Sequence, residues 1–223
     1  PPDNVAEEML NSSVVFGVTD MSMIHTEARF QCSEAGGRYL SLPDYNMKVL
    51  DSPALQTDFQ EITQTADEIA KTLTKGKHLK ITTAIGTELT SDITNRVANS
   101  APGWCPAPGT LASPPDAEAN IAPLEDGSNG VLMVDGSIPC KELGLIESPL
   151  KVNVEAGKIV TIEGKNSSVL KEVLDHSGNP ATRILAEIGF GLNPNAKLCG
   201  LMLEDEGCLG TIHTGFGSNA TFG

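Results

Sequence analysis

Leu150, Val152 and Val154 alternate with polar residues, Glu155-Ala156-Gly157 supplies a turn, and Ile159, Val160 and Ile162 bring the chain back. A period of two on both arms of a short glycine-containing turn specifies a β-hairpin. The second half of the chain must therefore build an antiparallel or mixed sheet. The neighbouring segments extend it: Leu79 to Thr94 alternates around Gly86, and Glu118–Pro123 and Gly130–Val134 read as further strands.

The first part is patterned differently. Val14 to Val18 is a β-branched run closed by Thr19-Asp20, residues 22 to 35 tolerate a helix stopped at Gly36-Gly37, and Arg38 to Leu42 reads as a second strand ending at Pro43. That order is a βαβ unit with an expected right-handed crossover. Phe59, Ile62, Ala66, Ile69, Ala70 and Leu73 then recur at helical steps, and Gly76 ends the helix. The expected fold is an α/β N-terminal unit over residues 1–76 followed by a β-rich α+β domain over 77–223. Within the second part, a short helix spans Ser167–Asp175, and another from Thr182 carries Glu187 at its end before Gly189 and Gly191 break it.

Composition narrows the function. Aromatics are 4% of 223 residues, so the core is aliphatic and a base-stacking surface is disfavoured. A net charge of −14 repels phosphate backbones, which excludes nucleic acid and anionic membrane as expected partners. Five cysteines without a Cys-x-x-Cys spacing argue against a disulfide scaffold or a zinc ribbon; they read as reduced, mostly buried residues of a cytoplasmic protein. No apolar run approaches the roughly 20 residues of a membrane span. The chain starts at Pro1 with neither Met nor a signal-like segment, so further residues are expected before it.

Chemistry concentrates near the end. Glu187, Glu204, Asp205, Glu206 and His213 lie among glycines and small residues, a mix of oxygen donors and one nitrogen that suits a hard-to-borderline divalent cation. The triplet Glu204–Glu206 has a second reading, as charge at the start of a helix. Asn99–Pro115 holds five prolines and two glycines and reads as a long loop; Trp104 on it either caps a pocket or plugs a crevice. His25, at the start of its helix, is a candidate substrate contact or an ordinary surface histidine. No nucleophile elbow, Walker A loop or dinucleotide fingerprint is present.

Ala186-Glu187, Asp205-Glu206, His213-Thr-Gly-Phe-Gly and the earlier DAEANIAP with Glu118, taken in order, resemble the M29 family of metal-dependent aminopeptidases. SMIHTEARFQCSEAGGRYLSLP is similar to the end of that family's N-terminal domain. The resemblance implies that Glu118, Glu187, Glu206 and His213 bind one or two divalent ions (Zn, Co or Mn), with Glu187 and Glu206 in catalysis and Glu206 or Asp205 as general base. His25 and Trp104 are then candidate contacts for a peptide or small-molecule substrate, and a homodimer is expected. The family has a His-x-Asp segment beyond the position of Gly223 and a Tyr where this chain has Ala220. The same resemblance extends to the dihydroxypyridine-cleaving dioxygenases, which implies Fe(II) and ring opening as the alternative to peptide hydrolysis. A relative that keeps the cleft without metal and binds a peptide or small molecule is the non-enzymatic alternative.

Overall fold

A computed structural model describes residues 1–43, 45–176 and 178–220. Strands Val14–Thr19 and Arg38–Pro43 pair in parallel across helix Glu27–Glu34, as the βαβ pattern requires, and Leu111–Ala112 adds a third parallel strand. Helix Asp3–Leu10 closes this unit over Met9, Cys32 and Tyr39.

Helix Phe59–Lys75 starts at Asp58, whose side chain accepts from the Gln60 amide, and ends at Gly76. Its buried stripe is Ile62, Ala66, Ala70 and Leu73. Ile62 and Ala66 pack with Ala117 and Leu192, and Leu73 packs with Ile93 and Ile121. Each large aliphatic side chain buried there contributes about 1.5–3 kcal/mol. The helix thus lies on the second part of the chain, so its packing crosses the expected boundary at Gly76. Leu111–Ala112 crosses it in the other direction by joining the N-terminal sheet.

Two larger antiparallel sheets follow, beside a two-stranded ribbon of Ser137–Ile138 and Gly144–Leu145. The five-stranded sheet runs Lys158–Glu163, Leu150–Glu155, Ser128–Val134, Glu88–Asp92, His78–Thr82 in spatial order. Its hairpin is the expected one, and Gly157 is doubly required. Its φ is +74°, and a Cβ there would fall 1.8 Å from the Glu125 carbonyl oxygen. The four-stranded sheet runs Ile212–Phe216, Leu185–Gly191, Glu118–Ile121, Asn99–Ala101. Leu185 and Ile188 from it share one core with Leu150, Val152, Val154 and Ile162 from the other.

Three expectations need correction. Glu187 does not end a helix. Pro180–Arg183 is a single 3₁₀ turn, and Glu187 sits inside strand Leu185–Gly191, where pairing on both sides overrides the helix preference of Ala and Glu. Helix Glu27–Glu34 starts after His25, which lies in the preceding turn. The cysteines are free, but only Cys32 is buried and Cys199 is exposed. Among the described residues, no helix is long and apolar enough to cross a membrane.

Asn193 fastens these parts together. It is fully buried, and its Oδ1 accepts from Thr57 Oγ1 at 2.6 Å and from the Asn195 amide at 3.0 Å. Its Nδ2 donates to the carbonyls of Ala54 at 3.0 Å and Pro115 at 2.7 Å. One satisfied amide therefore ties the segment before the long helix to the strand that leads into the candidate site.

Candidate metal centre

Register alone gathers the candidate residues. Gly189 lies opposite His213 on one side and Asn120 on the other, Glu118 opposite Gly191, and Glu187 opposite Gly215. Because side chains alternate between faces, Glu118, Asn120, Glu187 and His213 share one face. Ala117 and Ile121 pack with helix Phe59–Lys75 on the other. Gly189, Gly191 and Gly215 keep the site face low: a Cβ on Gly189 would lie 2.1 Å from His213 Nε2 and 2.5 Å from Glu118 Oε2.

One donor atom from each of Glu118, Glu187 and His213 lies within 4.8 Å of the others. His213 Nε2 is 3.0 Å from Glu118 Oε2, within ion-pair distance. Glu118 Oε2 and His213 Nδ1 are buried and have no hydrogen-bond partner among the described residues. Two donors about 2.1 Å from one ion and at right angles to each other stand about 3 Å apart, so the pair fits adjacent ligands of a single cation. Two oxygens and one nitrogen suit a divalent first-row metal.

The electrostatics ask for positive charge. Burial and then Glu118 raise Glu187 to about 7 against the pull of His213. Burial raises Glu206 to about 8, reinforced by Glu118, Glu187 and Asp205 and opposed by His213. Burial, followed by Glu118, Glu206 and Glu187, holds Asp116 well above the carboxylate range. For His213 burial acts downward, but Glu118, Glu206 and Glu187 outweigh it and lift the imidazole to about 9. Three carboxylates bear on the imidazole and Asp116 bears on those three, and a cation relieves the whole cluster.

The acidic triplet divides three ways on helix Met202–Gly207. Glu204 Oε1 accepts from Ser52 Oγ at 2.9 Å and the Lys197 amide at 3.2 Å. Asp205 accepts from the amides of Cys199 at 2.7 Å and Gly200 at 3.0 Å, so it shapes a loop. Glu206 alone turns to the cluster, though it stands outside the ligand-distance set, and it lines the cleft with His213. This cleft of about 670 Å³ lies between the two sheets, with Ile81, Leu132, Val152 and Phe216 as apolar wall and Thr82, Thr87, Ser137 and Thr214 as hydroxyls. Neither His25 nor Trp104 lines it. His25 belongs to the N-terminal unit, and the Trp104 indole N–H is bonded to Thr63 Oγ1 on the long helix at 2.8 Å. Asp116 and Asn120 escaped the sequence reading, where the step of two from Asp116 through Glu118 to Asn120 was the available signal, and Gly189 was read only as a helix breaker.

Fold and site together define a mixed α/β protein with several sheets that carries a candidate metal centre. More particularly, residues 2–219 match the family described as NicX: 2,5-dihydroxypyridine 5,6-dioxygenase, and the chain belongs to that family. Among solved structures it is similar to 2,5-dihydroxypyridine dioxygenase from Pseudomonas putida KT2440, with 20% identity and a TM-score of 0.78 over 99% of this chain and 65% of that one. It is also similar to wild-type AmpT from Thermus thermophilus, with 14% identity and a TM-score of 0.66 over 96% of this chain and 65% of that one. At such identities these likenesses show the fold. The chain spans about 65% of the length of both structures. No curated protein matches. The expectation of an aminopeptidase is corrected: the family match and the better-superposing of these two structures are dioxygenases, and the AmpT likeness reflects the shared scaffold. Family and scaffold both imply a divalent metal, and Glu118, Glu187 and His213 fit one.

Proposed function

We propose that this chain contributes the metal face of an Fe(II)-dependent dioxygenase site that opens a dihydroxylated pyridine ring, with Glu118, Glu187 and His213 as the ligands it supplies. The observation that carries the reading is the convergence of those three side chains, of which His213 lines the cleft, in a chain of the NicX family. Iron bound there supplies the redox chemistry that couples molecular oxygen to a ring that does not react with it unaided. The protein's part is to place and discharge the ring. Phe216 and the aliphatic wall favour a flat ring, and the threonine and serine hydroxyls can bond its oxygens and nitrogen. Glu206 lines the cleft beside the cluster, and with a cation there favouring its charged form it can take the proton of a ring hydroxyl.

The test is anaerobic loading of the full-length protein with Fe(II), then addition of 2,5-dihydroxypyridine and oxygen. One oxygen consumed per ring lost, abolished by Glu187→Gln, supports the reading. Bound iron with no oxygen uptake overturns it.

A further inference from the structure

A chain of two amides ends on the Glu118 carboxylate. Asn120 Nδ2 donates to Glu118 Oε1 at 2.6 Å, and Asn99 Nδ2 donates to Asn120 Oδ1 at 2.9 Å. Asn99 lies opposite Asn120 in the sheet, so the relay runs across two strands on the site face. Asn120 is 8% exposed on a strand, where asparagine is disfavoured and an amide must be fully bonded to be tolerated. Packing does not explain its presence, since Ala117 and Ile121 fill the opposite face.

The relay has a direction. An amide presents either N–H or oxygen to a neighbour, and the N–H from Asn99 captures the oxygen of Asn120, leaving the Asn120 N–H for Glu118. That bond occupies Oε1 and leaves Oε2, which is buried and accepts no amide hydrogen bond, 3.0 Å from His213 Nε2. We propose that Asn120, oriented by Asn99, is the positioning residue that restricts Glu118 to ligation through one oxygen, which keeps a coordination position open for substrate. The inference rests on Glu118 being a ligand, as in the proposed function.

Co(II) titration of the full-length protein tests it, because both affinity and the visible spectrum report coordination. Asn120→Ala should weaken Co(II) binding about ten- to hundredfold and change the spectrum. Asn99→Ala should weaken it less, since Glu118 still attracts the amide N–H. Asn99→Asp should approach Asn120→Ala, because a carboxylate repels the Asn120 oxygen and flips the amide. Asn99 is exposed, so its variants test the relay even if Asn120→Ala folds poorly. Wild-type affinity and spectrum in Asn120→Ala and Asn99→Asp would overturn the relay. If Glu118→Gln also bound Co(II) normally, the ligand assignment itself would fall; if only Glu118→Gln lost binding, the relay alone would.

Discussion

His213 Nε2 faces Glu118 Oε2 at 3.0 Å directly above Gly189, so the two side chains meet over a backbone position without a side chain. The middle strand carries no bulk there, and its outer neighbours lean inward. Any cation held by the pair sits on a floor made of glycine backbone.

Gly189→Ala should therefore be severe out of proportion to its size. A methyl 2.1 Å from Nε2 must displace the imidazole, the carboxylate or the strand, and overpacking of this kind costs about 1–3 kcal/mol. Isothermal titration with Mn(II) should show at least tenfold weaker binding, alongside a lower melting temperature. Unchanged metal affinity would mean that the pair is no ligand cradle.

The metal-free protein should lose stability as pH rises. Glu187 and Glu206 have folded values of about 7 and 8, above the ordinary carboxylate value, so their contribution is full below about 4.5 and is lost as pH climbs through 7 and 8. His213, lifted to about 9, acts with the same sign, its contribution being full below about 6.5 and lost through 9. Each tenfold difference in proton affinity between the folded and unfolded chain is worth about 1.4 kcal/mol, so chelator-treated protein should melt at a clearly lower temperature at pH 9 than at pH 5.5. A saturating divalent metal should flatten that slope, which scanning calorimetry at several pH values will show.

The acidic triplet should separate into two phenotypes. Asp205→Ala removes the acceptor for two loop amides and should lower stability by about 2–4 kcal/mol, visible in urea unfolding. Glu206→Gln should leave stability at pH 8 equal or higher, because it removes a carboxylate that resists ionising, while lowering ring turnover. The opposite pattern would exchange their roles.

The reach of the sequence is clearest at these same residues. Strand periodicity with a glycine turn made Leu150–Glu163 legible, because both signals are local. The strand at Leu185–Gly191 was hidden because its glycines answer to neighbours, one to His213 and another to the Cys208 carbonyl, and a lone segment reads them as helix breakers. Glu118, Glu187 and His213 were legible as residue types, and their meeting follows from register. Asp205 and Glu206 are adjacent and chemically alike, so only the helix direction assigns one to the loop amides and the other to the carboxylate cluster. Asn193 was invisible, since its partners Ala54, Thr57 and Pro115 come from far along the chain.

The cleft should also select by charge. Its described lining includes Asp135, Asp205, Glu206 and His213 but neither lysine nor arginine, so once His213 is neutral as a metal ligand no basic side chain there pairs with an anionic substituent. Asp205 is already bonded to amides, which leaves Asp135 and Glu206 to repel a like charge; at an effective dielectric near 20 a like charge about 4 Å away costs a few kcal/mol. Such a cost corresponds to about a hundredfold or more in kcat/KM. A dihydroxypyridine should therefore be turned over at least about a hundredfold more efficiently than the same ring bearing a carboxylate. Thr82→Lys, which adds a cation to the hydroxyl-lined wall, should narrow that ratio by improving the carboxylated ring. Equal efficiencies for the two rings in the unmodified protein would show that the metal, and not the cleft wall, decides which substrate is held.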